Sequence, residues 1–123
     1  MFEISVDEEF DAAHYLRGYQ GKCEALHGHR YRVRVTLACE GLNDIGLAYD
    51  FTVLKGHLRE LLEKYDHTCL NDVPPFDELN ASAENVAVMV SERLKSKIAA
   101  PGVALKQVEV WESPNSRVTY RPD

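Results

Sequence analysis

The sequence predicts an α+β fold in which two helices in tandem cover one face of an antiparallel sheet. Apolar and polar residues alternate with period two near both ends of the chain, which is the pattern of strands. Between residues 51 and 98 the apolar spacing changes to that of helices. The 123 residues are 45% hydrophobic and 28% charged, so we expect residues 1–123 to form a single folded domain.

Two long strands are predicted in the first third of the chain. The stretch FEISVDEEFDAAH predicts a strand that ends at His14, and HRYRVRVTLACE predicts a second strand with two distinct faces. One face of this second strand carries arginines. It is exposed either to water or to a symmetric partner, and the alternation is compatible with both. The turn GLNDIG and the segment LAYDF predict a short returning strand, so the first three strands would form an antiparallel meander. The apolar face carries Tyr31, Val33, Val35 and Leu37, and the opposite face carries Arg30, Arg32 and Arg34.

Two helices and a hairpin are predicted in the rest of the chain. Asp50 or Thr52 can cap the first helix, and Ser82 can cap the second. Residues 99–102, AAPG, end the second helix, and ALKQVEVWES and SRVTYRP then form a hairpin around SPNS. The apolar stripes are Leu54, Leu58, Leu61, Leu62 and Tyr65 in the first helix, and Val86, Met89, Val90, Leu94 and Ile98 in the second.

Charge and hydropathy argue against several classes of function. The net charge of −6 disfavours a general affinity for nucleic acid, whose phosphates require a basic surface. No stretch approaches the ~18 apolar residues of a membrane span. The start MFEISVDEEF does not resemble a signal peptide, so a cytoplasmic protein is expected. In such a compartment Cys23, Cys39 and Cys69 are interpreted as thiols.

Three histidines predict a site for one metal ion. His27 and His29 are two residues apart on a predicted strand, so both imidazoles point to the same face. His14 ends the preceding strand and can lie beside them. Three neutral imidazoles suit Zn²⁺ and leave a fourth position open, as in catalytic zinc sites. The alternative is three unrelated histidines, and His57 in the first helix is interpreted as a surface residue.

Four other residues each have a functional and a structural interpretation. Cys23, close to the predicted metal, is either a thiolate that acts as a general base or a simple loop cysteine. Asp66 and His67 are either an acid–base pair or a polar cluster at the end of a helix. Glu112 lies on an apolar strand face. It either binds adjacent N–H donors of a ligand, such as those of a 2-aminopyrimidinone ring, or marks the exposed end of the strand.

Taken together, the motifs FDAAH, GKCEALHGH, DF, YDHTCLN, SAEN and VWES resemble those of the 6-pyruvoyl-tetrahydropterin synthase / 6-carboxy-tetrahydropterin synthase family, in the same order and over nearly the whole chain. The resemblance implies the tunnelling fold (T-fold), a four-stranded antiparallel sheet with two helices on one face. It also implies a homo-oligomer, in which three sheets join edge to edge into a barrel and two trimers stack as a hexamer. The three arginines would then face the barrel lumen, and the active sites would lie between subunits.

The same resemblance implies a role for each matching residue. His14, His27 and His29 would bind zinc, Cys23 would be the catalytic base, and Asp66 with His67 would complete the catalytic triad. Glu112 would anchor the pterin ring, and Ser82 and Ala83 would lie beside it, with Ala83 able to contribute only its backbone. Lys22 and Arg17 are candidates for contacts to phosphate.

The spacing within GKCEALHGH distinguishes the subfamilies. Three residues separate Cys23 from His27, which resembles the 6-carboxy-tetrahydropterin synthases of queuosine (7-deazaguanine) biosynthesis rather than the pyruvoyl-forming enzymes, which have five. The implied reaction converts 7,8-dihydroneopterin triphosphate to 6-carboxytetrahydropterin, acetaldehyde and triphosphate, which is lyase chemistry. Glu24 is either a catalytic residue that also allows 6-hydroxymethyl-dihydropterin to form for folate, or a solvated carboxylate. The alternatives are a 6-pyruvoyl-tetrahydropterin synthase and a non-catalytic zinc-binding protein of the same fold.

Overall fold

The computed structural model describes residues 1–18, 21 and 25–122 of the chain. Its sheet contains the strands β1 (Phe2–His14), β2 (His27–Cys39), β3 (Thr68–Cys69), β4 (Val103–Ser113) and β5 (Ser116–Tyr120), and its helices are α1 (Phe51–Leu62) and α2 (Ala83–Lys95). The strands lie in the order β3-β1-β2-β4-β5, so β2 has β1 on one side and β4 on the other. The α+β class, the two long N-terminal strands and the C-terminal hairpin are therefore confirmed.

The pairing of β1 with β2 determines which side chains share a face. The two strands run antiparallel from Phe2 opposite Cys39 to His14 opposite His27. Alternate residues of β2, beginning at Tyr31, are fully buried, and they meet Val6 and Phe10 of β1 on the same face. His14 and His27 also share this face, at the end of the strands, where the apolar core gives way to the solvent.

Both helices cover this apolar face. Asp50 caps α1, because its Oδ1 accepts a hydrogen bond from the backbone N–H of Thr52 at 2.8 Å. Ser82 caps α2 in the same way through the N–H of Asn85 at 3.1 Å. The predicted stripes are buried in the common core, although α2 ends at Lys95, so Ile98 packs from the segment that follows the helix rather than from the helix itself. None of the described helices is long and apolar enough to cross a membrane.

Two details of the predicted sheet are wrong. Residues 47–51 form no strand, because both edges of β2 are already paired and no edge is left for a returning strand. Instead, the Asn43 side chain closes a turn by accepting hydrogen bonds from the N–H groups of Ile45 and Leu47, each at 3.0 Å. The polar connection after α1 contains β3, which runs parallel to β1, so the sheet has five strands rather than four.

The face of the sheet away from the helices is a ladder of charged side chains, as the alternation predicts. Arg34 lies opposite Asp7 on the neighbouring strand and binds it with Nε 2.7 Å from Oδ1. The guanidinium of Arg34 holds the pKa of Asp7 below its usual value. Arg32 stacks on Trp111, with 3.9 Å between its guanidinium carbon and the ring centroid. Exposed pairs of this kind contribute about 1 kcal/mol or less each, so this face does not determine the fold.

Candidate metal centre

The three predicted histidines converge at one end of the sheet. His14 and His27 are directly opposed across β1 and β2, and His29 is two residues further along β2 on the same face. Their ring centroids are 4.5 to 5.1 Å apart, and their planes are inclined to one another by 66 to 88°. Their ligand atoms and one carboxylate oxygen of Glu112 all lie within 4.8 Å of one another. The three histidines and Glu112 therefore form a compact group that can hold a metal ion.

Two backbone carbonyls orient the imidazoles. The Nδ1–H of His14 donates to the carbonyl oxygen of Ala81 at 2.6 Å, and the Nδ1–H of His27 donates to that of Ala25 at 2.7 Å. An imidazole with a single N–H, placed on Nδ1 in this way, presents a bare lone pair at Nε2. These two lone-pair atoms are only 3.0 Å apart. Two acceptors so close repel each other unless a cation lies between them, and this arrangement fits a metal ion.

His29 supports the same interpretation from a different observation. Its Nε2 is buried and has no hydrogen-bond partner, which costs about 1–3 kcal/mol for an ordinary polar atom. Burial lowers the pKa of both His14 and His29, so both rings are neutral near pH 7. Neutral rings with free lone pairs are the form in which histidine binds a metal. The donor set of three imidazole nitrogens suits zinc.

Glu112 lies beside these imidazoles rather than at an exposed strand end. Its Oε1 is 3.4 Å from Nε2 of His29, and its Oε2 is 4.0 Å from Nε2 of His14. A cavity of about 410 Å³ opens next to it, a volume that suits a small ring ligand. The cavity is lined by Glu9, Gly28, His29, Arg30, Arg32, Trp111, Glu112, Ser113 and Pro114.

Two asparagines hold the chain that follows His14. The side-chain amide of Asn71 accepts from the N–H of Tyr15 at 3.1 Å and donates to its carbonyl oxygen at 3.0 Å. Asn80 makes the same paired contact with Arg17, at 2.9 Å in both directions. Asn80 immediately precedes Ala81, whose carbonyl orients His14. The two amides therefore fix the position of His14 and of the carbonyl that orients it.

Replacing Asn80 with alanine is expected to weaken metal binding about tenfold, because the carbonyl that orients His14 loses its support. Chelator competition measures this affinity. Asn43→Ala is the matched control, since it also removes an amide that closes a loop, but at the opposite end of β2. Equal metal affinities in the two variants would show that Asn80 has no influence on the site.

Asp66 and His67 form a second group that the structure places apart from the first. Asp66 Oδ1 accepts from the N–H of Asp11 at 2.9 Å, and its Oδ2 is 3.0 Å from Nδ1 of His67. The hydrogen bond from Asp11 is the main reason why the pKa of Asp66 lies below its usual value, and the contact with His67 adds to it. The side chain of Asp11 alternates away from that of His14. Asp66 and His67 are thus in contact with each other, but within one chain they do not join the three histidines.

The other predicted site residues have different outcomes. Cys23, Glu24 and Lys22 lie outside the described residues. Ser82 and Ala83 form the start of α2, where the Ser82 hydroxyl oxygen is the helix cap. Arg17 donates from its guanidinium to the carbonyl oxygens of Phe76 and Leu79 at 3.2 to 3.3 Å, which gives it a role in holding the turn rather than a free guanidinium for phosphate.

Fold and site together define a class: an α+β protein of the tunnelling fold with a histidine cluster that can hold one metal ion. The chain matches the model of the family described as 6-pyruvoyl tetrahydropterin synthase over residues 3–123, and it belongs to this family.

Named relatives agree with this assignment. The chain is 36% identical over 125 residues to a 6-carboxy-5,6,7,8-tetrahydropterin synthase of Synechocystis sp., covering 98% of this chain and 93% of the relative. It is 34% identical over 128 residues to the Bacillus subtilis protein of the same name, covering 98% and 86%. The structure of Caenorhabditis elegans 6-pyruvoyl tetrahydropterin synthase superimposes with a TM-score of 0.89 at 31% identity, covering 99% of this chain and 96% of that one. The fold is therefore that of the tetrahydropterin synthases, and these relatives indicate an enzyme.

Proposed function

We propose that this protein is a zinc-dependent 6-carboxy-5,6,7,8-tetrahydropterin synthase that acts in queuosine biosynthesis. It converts 7,8-dihydroneopterin triphosphate and water to 6-carboxytetrahydropterin, acetaldehyde and triphosphate, and its residues 1–123 act as one domain. The observation that carries the proposal is the convergence of three imidazoles next to a carboxylate, beside a cavity large enough for a pterin ring. The spacing of Cys23 and His27 and the names of the two bacterial relatives favour the carboxy product.

Each group of site residues has a distinct role in this reaction. His14, His27 and His29 would hold zinc, which supplies Lewis acidity toward the oxygens of the substrate side chain. Glu112 accepts the N–H donors of the ring and orients it, and the start of α2 at Ser82 and Ala83 lies at the edge of the ring. Cys23 moves protons between the side chain and the ring. Asp66 orients His67, which deprotonates a side-chain hydroxyl or protonates a leaving fragment.

We propose that the complete site forms between subunits of a trimer, and that two trimers form a hexamer. Within one chain the Asp66–His67 pair and the three histidines are separate groups, and a second copy would bring them together. Apart from its contact with β3, the outer edge of β1 is unpaired in the described chain, and β5 forms the opposite edge of the sheet. Unpaired edges of this kind favour edge-to-edge association of sheets.

Incubating the zinc-loaded protein with 7,8-dihydroneopterin triphosphate is expected to produce 6-carboxytetrahydropterin and acetaldehyde, identified by mass spectrometry. A pyruvoyl product would assign the protein to the other branch of the family. Formation of 6-hydroxymethyl-dihydropterin, lost in Glu24→Ala, would add a role in folate synthesis. Absence of turnover with correctly loaded protein would favour a non-catalytic metal-binding role.

Replacing Cys23 with alanine is expected to leave zinc content and thermal stability unchanged and to reduce turnover by about 10²-fold or more, because a general base is lost. Cys39→Ala is the control, since Cys39 is a free thiol at the opposite end of β2 from His27. An unchanged rate in Cys23→Ala would remove this thiol from the mechanism.

A further inference from the structure

Tyr31 lies next to the histidine cluster and has an unpaired hydroxyl. The residue is fully buried, and among the described residues its hydroxyl oxygen has no hydrogen-bond partner. Burial and the charge of Glu112 raise the pKa of Tyr31 above its usual value, so the hydroxyl keeps its proton. A buried donor without an acceptor destabilises the folded state. The hydroxyl therefore does not explain why an aromatic residue occupies this position, and the contacts of the ring do.

The ring of Tyr31 reaches along the sheet to the histidines. It stacks on Phe10, its partner across β1 and β2, with the ring centroids 4.9 Å apart and the planes inclined by 11°. Its centroid also lies 5.6 Å from that of His29 and 5.8 Å from that of His14, although His14 is four residues further along β1 than Phe10. Ala12 lies between Phe10 and His14 on the same face, and its small side chain leaves space for this contact.

Both imidazoles meet the ring of Tyr31 edge to face. The planes are inclined by 77° for His29 and by 90° for His14. Aromatic rings prefer this geometry to a face-to-face sandwich, and such pairs contribute more than the area they bury. The contact therefore favours one orientation of each imidazole, because rotation of either ring would lose it.

His29 depends on this contact more than the other two histidines do. A histidine that binds a metal commonly donates its second ring N–H to a carbonyl or carboxylate oxygen, which orients the ring. Backbone carbonyl oxygens do this for His14 and His27. No carbonyl oxygen does so for His29 among the described residues, where its aromatic neighbours are His14, His27 and Tyr31. Of these three neighbours, Tyr31 is the one that is not itself a candidate ligand.

We propose that Tyr31 is a positioning residue of the metal centre. Its ring holds the imidazoles of His14 and His29 at the angle at which both bind one ion, and its hydroxyl takes no part. This inference rests on the proposed function, in which these histidines hold zinc. The ring should therefore affect metal affinity, whereas the hydroxyl should affect only the stability of the fold.

Cobalt-substituted protein tests the role of the ring, because the visible absorption of Co²⁺ reports the geometry of its ligands. Tyr31→Leu is expected to lower Co²⁺ affinity about tenfold in chelator competition and to change the spectrum. Tyr31→Phe keeps the ring and should match the wild type in both. Tyr31→Met, which also lacks the ring, repeats the test if the leucine variant does not fold. Tyr65→Leu is the matched control and should also match the wild type, since Tyr65 is fully buried but packs on Phe76.

Thermal unfolding of the metal-free protein tests the role of the hydroxyl. Tyr31→Phe removes an unpaired donor and is expected to raise the midpoint of unfolding by about 3 °C. Tyr65→Phe is the control, because the hydroxyl of Tyr65 donates to the carbonyl oxygen of Pro74 at 2.9 Å. Loss of that hydrogen bond should lower the midpoint.

The outcomes separate this inference from the proposed function. The inference is overturned if Tyr31→Leu keeps the affinity and spectrum of the wild type, if Tyr31→Phe loses as much affinity as Tyr31→Leu, or if Tyr31→Phe unfolds at a lower temperature. An equal loss of affinity in Tyr65→Leu would also overturn it, because the effect would then follow from the loss of any buried aromatic ring. If the wild type binds no Co²⁺, the histidine cluster is not a metal site and the proposed function itself fails.

Discussion

Replacing His27 with alanine is expected to abolish stoichiometric zinc binding and turnover while leaving a folded protein. Two of the three imidazoles would remain, but the pair of Nε2 atoms 3.0 Å apart would be lost together with its ion. His27 lies at the start of β2 and is only half-buried, so the fold should lose no more than about 1 kcal/mol. Zinc content is measured on the purified variant, alongside circular dichroism and thermal unfolding.

The control for this variant is His57→Ala. His57 lies on α1, outside the histidine cluster, so this variant should retain zinc and activity. A His27→Ala protein with the zinc content of the wild type would contradict the assignment of His27 as a ligand. A zinc loss in His57→Ala as well would point to general damage rather than to the site.

Replacing His67 with alanine is expected to give an inactive protein that still binds zinc, in contrast to His27→Ala, which loses both. His67 belongs to the group formed with Asp66 on the edge of β1, and its side chain is 77% exposed, so its loss should not disturb the fold. Mixing this variant with His27→Ala provides the sharper test. Each chain then supplies the half of the site that the other lacks, and hetero-oligomers are expected to recover about a quarter of the wild-type activity if sites form between subunits.

Two controls accompany the mixing experiment. Each variant mixed with itself should remain inactive, and His27→Ala mixed with Asp66→Ala should recover activity in the same way as with His67→Ala. If hetero-oligomers form but show no recovery, the two groups do not combine across subunits, and the separation seen within one chain would need another explanation.

The parts of the fold that follow from local periodicity could be predicted from the sequence. Alternation in FEISVDEEFDAAH and HRYRVRVTLACE determines two strands, and their pairing brings His14 opposite His27. Helical spacing and the capping side chains of Asp50 and Ser82 determine the helices. The histidine cluster could be predicted for the same reason, because period two places His27 and His29 on one face.

The parts that depend on tertiary pairing could not be predicted in this way. Residues 47–51 have the composition of a strand, but β4 already pairs with the edge of β2 that they would need. The two-residue strand Thr68–Cys69 is too short to have a period of its own. Asn71 and Asn80 carry no signal beyond being polar residues in a connection, since their contacts join residues 56 and 63 positions apart. The proximity of Glu112 to the imidazoles depends on the pairing of β4 with β2, which alternation alone does not reveal.

The most direct measurement is turnover of 7,8-dihydroneopterin triphosphate before and after complete removal of metal by a chelator. Turnover is expected to disappear with the metal and to return in proportion to added Zn²⁺, reaching its full value at about one ion per chain. Product formation by the metal-free protein at the original rate would contradict the central claim that three imidazoles at the end of the sheet hold the ion on which catalysis depends.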